Sequence, residues 1–151
     1  MLSHLLTSFV AASTFSILFN VPKKSLLSAG FVGMAGWALY ISLIFQEVDP
    51  VAATLAASFL VAVISHVFAK RYKNPVIIFS VAGIIPLVPG GMAYDAMRNV
   101  VENDYTTALE LAAKAFMISG SIAFGLVLSE VLNQIFLRKR GRLRRYMGSR
   151  G

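Results

Sequence analysis

Asp95 and Arg98 stand three residues apart, just after Tyr94, where an apolar stretch is interrupted by Pro86, Pro89, Gly90 and Gly91. That spacing puts the two charges on one helical turn, where they are expected to pair. An exposed pair of this kind adds little stability. Beside a break in a helix, however, it offers both signs of charge needed to hold a zwitterion, and Tyr94 adds a hydroxyl and an aromatic face. Proline lacks a backbone donor and clashes with the preceding turn, while glycine tolerates angles that other residues resist. Backbone groups freed in hydrocarbon must be satisfied by protein or by a water-filled cavity. Half-helix ends of this sort face the cargo in transporters. The alternative is a hinge that ends one helix at the membrane interface, and the position of the break suits both readings.

The remaining intramembrane polar groups are few. Glu130 sits about two turns inside the end of the last apolar run, with Asn133 and Gln134 near its face. Burying a carboxylate costs several kcal/mol unless it is paired, protonated or hydrated. Glu130 therefore meets a cation, a proton or a partner subunit, or it reaches the headgroups or the basic residues that follow. Thr54, Ser58, Ala62 and His66 recur at steps of four. This stripe either lines a water-filled path, with His66 titrating near neutral pH, or consists of hydroxyls bonded back to their own helix. Lys114 is placed to extend toward an interface. No Ser-His-Asp set, paired carboxylates, phosphate loop or HExxH spacing accompanies these residues, so neither an enzyme nor a metal or other cofactor is expected.

Composition points the same way. The chain has 151 residues, of which 57% are hydrophobic, with no cysteine and a formal charge of +7. So apolar a chain of this size reads as an integral membrane protein. The basic residues sit at the ends of apolar runs, which suits membrane topology and argues against a nucleic-acid partner.

The expected fold is all-α, a polytopic bundle of five transmembrane helices with the fourth broken at the Pro/Gly segment. The helices are expected at about 2–19, 25–45, 51–69, 75–100 (broken) and 107–137, forming a transmembrane domain over 1–140. A basic cytoplasmic tail, 141–151, is expected to lie disordered against anionic headgroups. A span needs about 20 residues, which the first run only just supplies and the fifth exceeds. The first run lacks the basic region of a signal peptide and is expected to be retained. Lys23 and Lys24, then Lys70, Arg71 and Lys73, then the C-terminal cluster mark cytoplasmic loops. The intervening loops carry Glu47 and Asp49, then Glu102 and Asp104, which puts the N-terminus outside and the C-terminus inside. Arg98 is a mild exception. Small residues recur at packing distance: Ser25, Ala29 and Gly33; Ala53 and Ala57; Ser121, Gly125 and Ser129. Such stripes serve either packing within one bundle or a subunit interface, and the second use allows an alternative function, a non-transporting membrane scaffold that stabilises a larger subunit.

The Phe19–Pro22 turn (FNVP), the basic residues behind it, the glycine-rich second helix and the Ile85–Gly91 segment (IPLVPGG) followed by Tyr94 resemble the small-subunit, YjjB-like members of the threonine/serine exporter (ThrE) family. The likeness covers about residues 5–137. It implies a bacterial inner-membrane transporter subunit that exports small amino acids or dicarboxylates such as succinate. It also implies a separately encoded larger, YjjP-like partner, and it carries over Pro86, Pro89, Gly90 and Tyr94. The roles of Gly91, Asp95, Arg98 and Glu130 rest on the physical argument alone.

Overall fold

The computed structural model describes residues 2–148, with side chains for residues 3–135. Among these the chain is all-helical. It comprises α1 (Leu2–Leu18), α2 (Lys23–Ile44), α3 (Pro50–Tyr72), α4 (Val76–Ile84), a 3-10 turn (Ile85–Leu87), α5 (Gly90–Val101) and α6 (Tyr105–Gly148). Proline opens α3 and immediately precedes α2 and α4, where its missing donor costs nothing. Asp49 caps α3 by accepting from the amides of Val51 and Ala52.

Four helices end alike. Asn20, Glu47, Lys73 and Asn103 adopt left-handed angles after α1, α2, α3 and α5. The residue after each donates back five positions, to the carbonyls of Ser16, Leu43, Ala69 and Asn99. The helices therefore stop sharply, and neighbouring ones turn back on each other.

Among the described residues, three helices are long and apolar enough to cross a membrane: Lys23–Ile44, Pro50–Tyr72 and the Tyr105–Ile135 part of α6. Val76–Leu87 and Gly90–Val101 pass together as a fourth, bent by 48° at the break. Three to four helices thus have the length and apolarity of a span where five were expected. The difference is α1, whose 17 residues reach about 26 Å against a hydrocarbon thickness of about 30 Å. The chain is a multi-pass membrane protein. α6 continues through the basic cluster to Gly148, so the tail expected at 141–151 starts as a continuation of that helix; residues 149–151 lie outside the described residues.

α2, α3 and α4 form the core around Val32, Ala57, Val61, Phe79 and Ala82, all fully buried. α1 lies against α2, and α6 runs along α3. The small-residue stripes are used within this bundle. A Cβ at Gly33 would come within 2.6 Å of the Ala12 Cβ, and one at Gly83 within 2.7 Å of Val32 and Val61. At Gly125 it would strike the Ser58 hydroxyl and lie 2.9 Å from the Leu55 carbonyl. Gly125 thus lets α6 rest directly on the α3 backbone.

Candidate functional site

The break is built as its prolines require. Pro86 and Pro89 supply no backbone donor, Val88 is extended, and the Gly90 amide turns back to the Val88 carbonyl at 2.8 Å. The glycines are not explained by backbone strain. Among the described residues no glycine has positive φ, and a Cβ at Gly90 or Gly91 would meet nothing within 4 Å. Both leave an open surface at the head of α5.

Beyond the break, Ala96 is the buried residue of α5. Tyr94 is 69% exposed, and Asp95 and Arg98 are exposed as well. The expected Asp95–Arg98 pair does not form. Arg98 Nε donates instead to Glu102 Oε1 at 2.8 Å, one turn further on, because α5 extends to Val101 and carries Glu102 at its end into reach. The Asp95 carbonyl accepts from Asn99. Pro86 faces the bundle, where it lines a groove of about 210 Å³ with His4, Thr7, Ser8, Ala11 and Trp37. That combination was not anticipated, since it joins α1, α2 and the break.

A second constellation lies between α3 and α6. His66 Nε2 is 3.1 Å from Glu130 Oε2, and Asn133 Nδ2 is 3.2 Å from His66 Nδ1. Lys70 Nζ donates to Asn133 Oδ1 at 3.3 Å, and Gln134 Nε2 to Glu130 Oε1 at 3.1 Å. The imidazole is buried, with 9% of its side chain exposed, whereas the Glu130 side chain is 51% exposed. The rest of the expected polar stripe turns inward: Thr54 donates to the Pro50 carbonyl and Ser58 to that of Leu55. Thr54 is bonded to its own helix alone, Ser58 also reaches the Ser121 carbonyl of α6 at 3.5 Å, and His66 makes the side-chain contacts across the seam.

Lysine can only donate, so its bond fixes which end of the Asn133 amide is which. The amide nitrogen must then donate to His66 Nδ1, leaving Nε2–H to donate to Glu130. The network specifies the neutral Nε2–H tautomer. One groove of about 230 Å³ touches His66 along the α3–α6 seam, lined also by Phe59, Val63, Lys70, Ser129 and Asn133. Another, of about 320 Å³, touches it from the α4 side with Val76, Ile77, Ser80 and Glu130. The Ser129 hydroxyl is buried without a hydrogen-bond partner.

The structure therefore separates the sequence candidates. Pro86, Pro89, Gly90, Gly91, Tyr94, Asp95 and Arg98 cluster about the break, whereas Glu130 lies about 38 Å along α6 from Tyr105. α5, about 18 Å long, does not reach it. His66 and Glu130 were visible as isolated polar residues, but the pairing joins positions 64 apart and leaves no local sequence signal.

Residues 4–132 match the threonine/serine exporter family, ThrE. The chain is 31% identical over 140 residues to an uncharacterized protein of Haemophilus influenzae, covering 87% of this chain and 47% of that one. It is 27% identical over 128 residues to a threonine/serine exporter of Corynebacterium glutamicum, covering 85% of this chain and 26% of that one. The chain thus spans about half and about a quarter of the lengths of these relatives. No solved structure matches. With the family match running from α1 nearly to the end of the described side chains, through both the break and the His66–Glu130 pair, the chain belongs to the threonine/serine exporter family.

Proposed function

We propose that this chain is the smaller membrane half of a secondary transporter that exports small polar metabolites, either threonine/serine-type amino acids or dicarboxylates such as succinate. It acts with a larger, YjjP-like subunit in the bacterial inner membrane. In this reading α1 completes a five-span bundle, with the N-terminus outside and the cytoplasmic loops basic. The chain carries no chemistry on its substrate and is driven by an ion gradient.

The observation that carries this reading is the break at Pro86 and Pro89, an interruption of an apolar helix within an exporter family. Backbone irregularity at membrane depth is tolerated where it lines a cavity, and Pro86 lines one with Thr7, Ser8 and Trp37. The partner is what the resemblance to the small-subunit members of the family implies; the chain spans 26% of the length of the relative named as an exporter. The small-residue stripes, which would favour a non-transporting scaffold if they faced outward, are occupied within the bundle.

The test is co-expression with neighbouring membrane genes, purification through a tag on this chain, and reconstitution in liposomes. A complex with a larger membrane protein that moves labelled threonine, serine or succinate down or against a gradient is the expected result. A complex that moves none of them overturns the transport reading. A stable assembly of this chain alone overturns the partnership.

A further inference from the structure

We propose that the His66–Glu130 pair is a proton-binding site that couples transport to a proton gradient, with Asn133 and Lys70 as the positioning residues that sense its occupancy. This rests on the transport reading above, but it is argued from geometry that is independent of the break.

The pair has the composition of a proton site. An imidazole is the side chain whose ordinary range spans physiological pH, and Glu130 Oε2 accepts from it at 3.1 Å. One nitrogen and one carboxylate are too few for a resident transition metal, which takes three or four protein ligands. Apolar side chains make up half of the lining of one adjoining groove and most of the other. A proton needs neither space nor further ligands. The charged groups lining these grooves are Glu130 from α6 and Lys70 from α3, and α4 contributes Val76, Ile77 and Ser80, none of which titrates. The half-exposed carboxylate gives a proton its approach, and the unpartnered Ser129 hydroxyl provides a polar group on the neighbouring groove.

The hydrogen-bond pattern makes occupancy mechanically legible. In the resting network Nδ1 carries no proton and accepts from the Asn133 amide. A proton taken up from the groove onto Nδ1 forms an N–H bond and converts the ring to imidazolium, balanced by the Glu130 carboxylate. Two donors then face each other, Nδ1–H and the amide NH2. Rotation of the Asn133 amide brings Oδ1 to the ring and resolves the conflict. The same rotation turns the NH2 toward Lys70, which cannot accept, so the Lys70–Asn133 bond at 3.3 Å is lost. Proton release restores it. The occupied and empty states thus differ in whether α3 and α6 are tied at Lys70.

The test uses the full chain in nanodiscs, with its partner when bound, labelled with 15N-histidine. The chain contains only two histidines, so His4→Gln assigns the spectrum. The expected result is a neutral Nε2–H tautomer for His66 that converts to imidazolium on acidification. Glu130→Gln is expected to lower its proton affinity about tenfold, and Asn133→Leu to abolish the tautomer preference. A His66 signal unchanged by both substitutions overturns the proposal. In liposomes, His66→Gln and Glu130→Gln are expected to abolish flux driven by a pH gradient while keeping labelled-for-unlabelled substrate exchange within about twofold. Equal loss of both activities overturns coupling. If the unaltered protein moves no substrate, the transport reading fails, and the histidine titration still decides the proton site.

Discussion

The break and the α3–α6 seam are opposites in construction. At the break the backbone is irregular, Gly90 and Gly91 face open space, and the charged side chains stand on the exposed surface of α5. At the seam both helices are regular, Gly125 rests on backbone, and polar groups from two helices are joined by hydrogen bonds. The sequence features that draw attention, proline and adjacent charges, mark the first region. The second is made of residues that look unremarkable until two helices are laid side by side. Irregular backbone indicates where something outside the chain can approach, whereas a closed polar network indicates where an internal state is stored.

The sharpest way to break this contrast is to place the same bulk in both regions. Gly125→Leu is expected to cost about 3 kcal/mol, the upper end of what overpacking usually costs, and to eliminate most folded protein, because Leu55 O and Phe59 N lie 2.9 and 3.0 Å from the new Cβ and are backbone atoms that cannot swing aside. Gly90→Leu is expected to leave the melting temperature in detergent unchanged or slightly raised, since leucine is the better helix former. Equal losses would show that the break is packed after all. If Gly90→Leu folds but no longer transports, the open surface there receives a substrate or a partner.

Next in size is removal of one member of the polar network. Glu130→Ala leaves the buried His66 Nε2–H without its acceptor and is expected to cost about 1–3 kcal/mol, read by thermal unfolding. By contrast, Asp95→Ala and Arg98→Ala change exposed groups and are expected to leave the melting temperature unchanged. Loss of stability from Asp95→Ala with none from Glu130→Ala would reverse the assignment of the two regions.

The smallest effect concerns the turn that joins them. Hydrogen bonds from Thr107, with a weaker contribution from the Thr106 amide, hold Asp104 below the ordinary carboxylate range at the head of α6. A depressed carboxylate contributes its stabilisation above its unfolded pKa and loses it as pH falls through the lower, folded value. The Thr107 amide resonance is therefore expected to shift with acid only below the usual carboxylate range, without global unfolding. A midpoint at or above that range would show that the cap does not form.

Much of the fold was legible because its signals are local. Apolar runs, Pro22, Pro50 and Pro75 at the turns, and the basic residues that end α3 all act within a few positions of the structure they cause. The interruption at Ile85–Gly91 was legible for the same reason. The partner of Arg98 was not, because spacings of three and four both suit a helix and the choice depended on how far α5 runs. Nor was the function of Gly90 and Gly91, whose torsions any residue could adopt. The His66–Glu130 pair was out of reach for a different reason: helix register across α3 and α6 is set by Gly125 against Ser58, and one sequence carries no signal for which turns of two helices meet.

That contact has a mechanical consequence. Where two rods touch backbone to backbone at one point, the cheapest relative motion is a tilt about that point, and Gly125 on Ser58 is such a fulcrum. Asn133 lies about 12 Å further along α6. A tilt of about 10° there displaces Asn133 by about 2 Å, more than a hydrogen bond tolerates. Against the opposite, N-terminal part of the same helix packs α5, which runs from the break to Val101 and joins α6 through the turn at residues 102–104. A small angular change at the basic end of α6 therefore moves its other end in the opposite direction, and carries the C-terminal end of α5 with it.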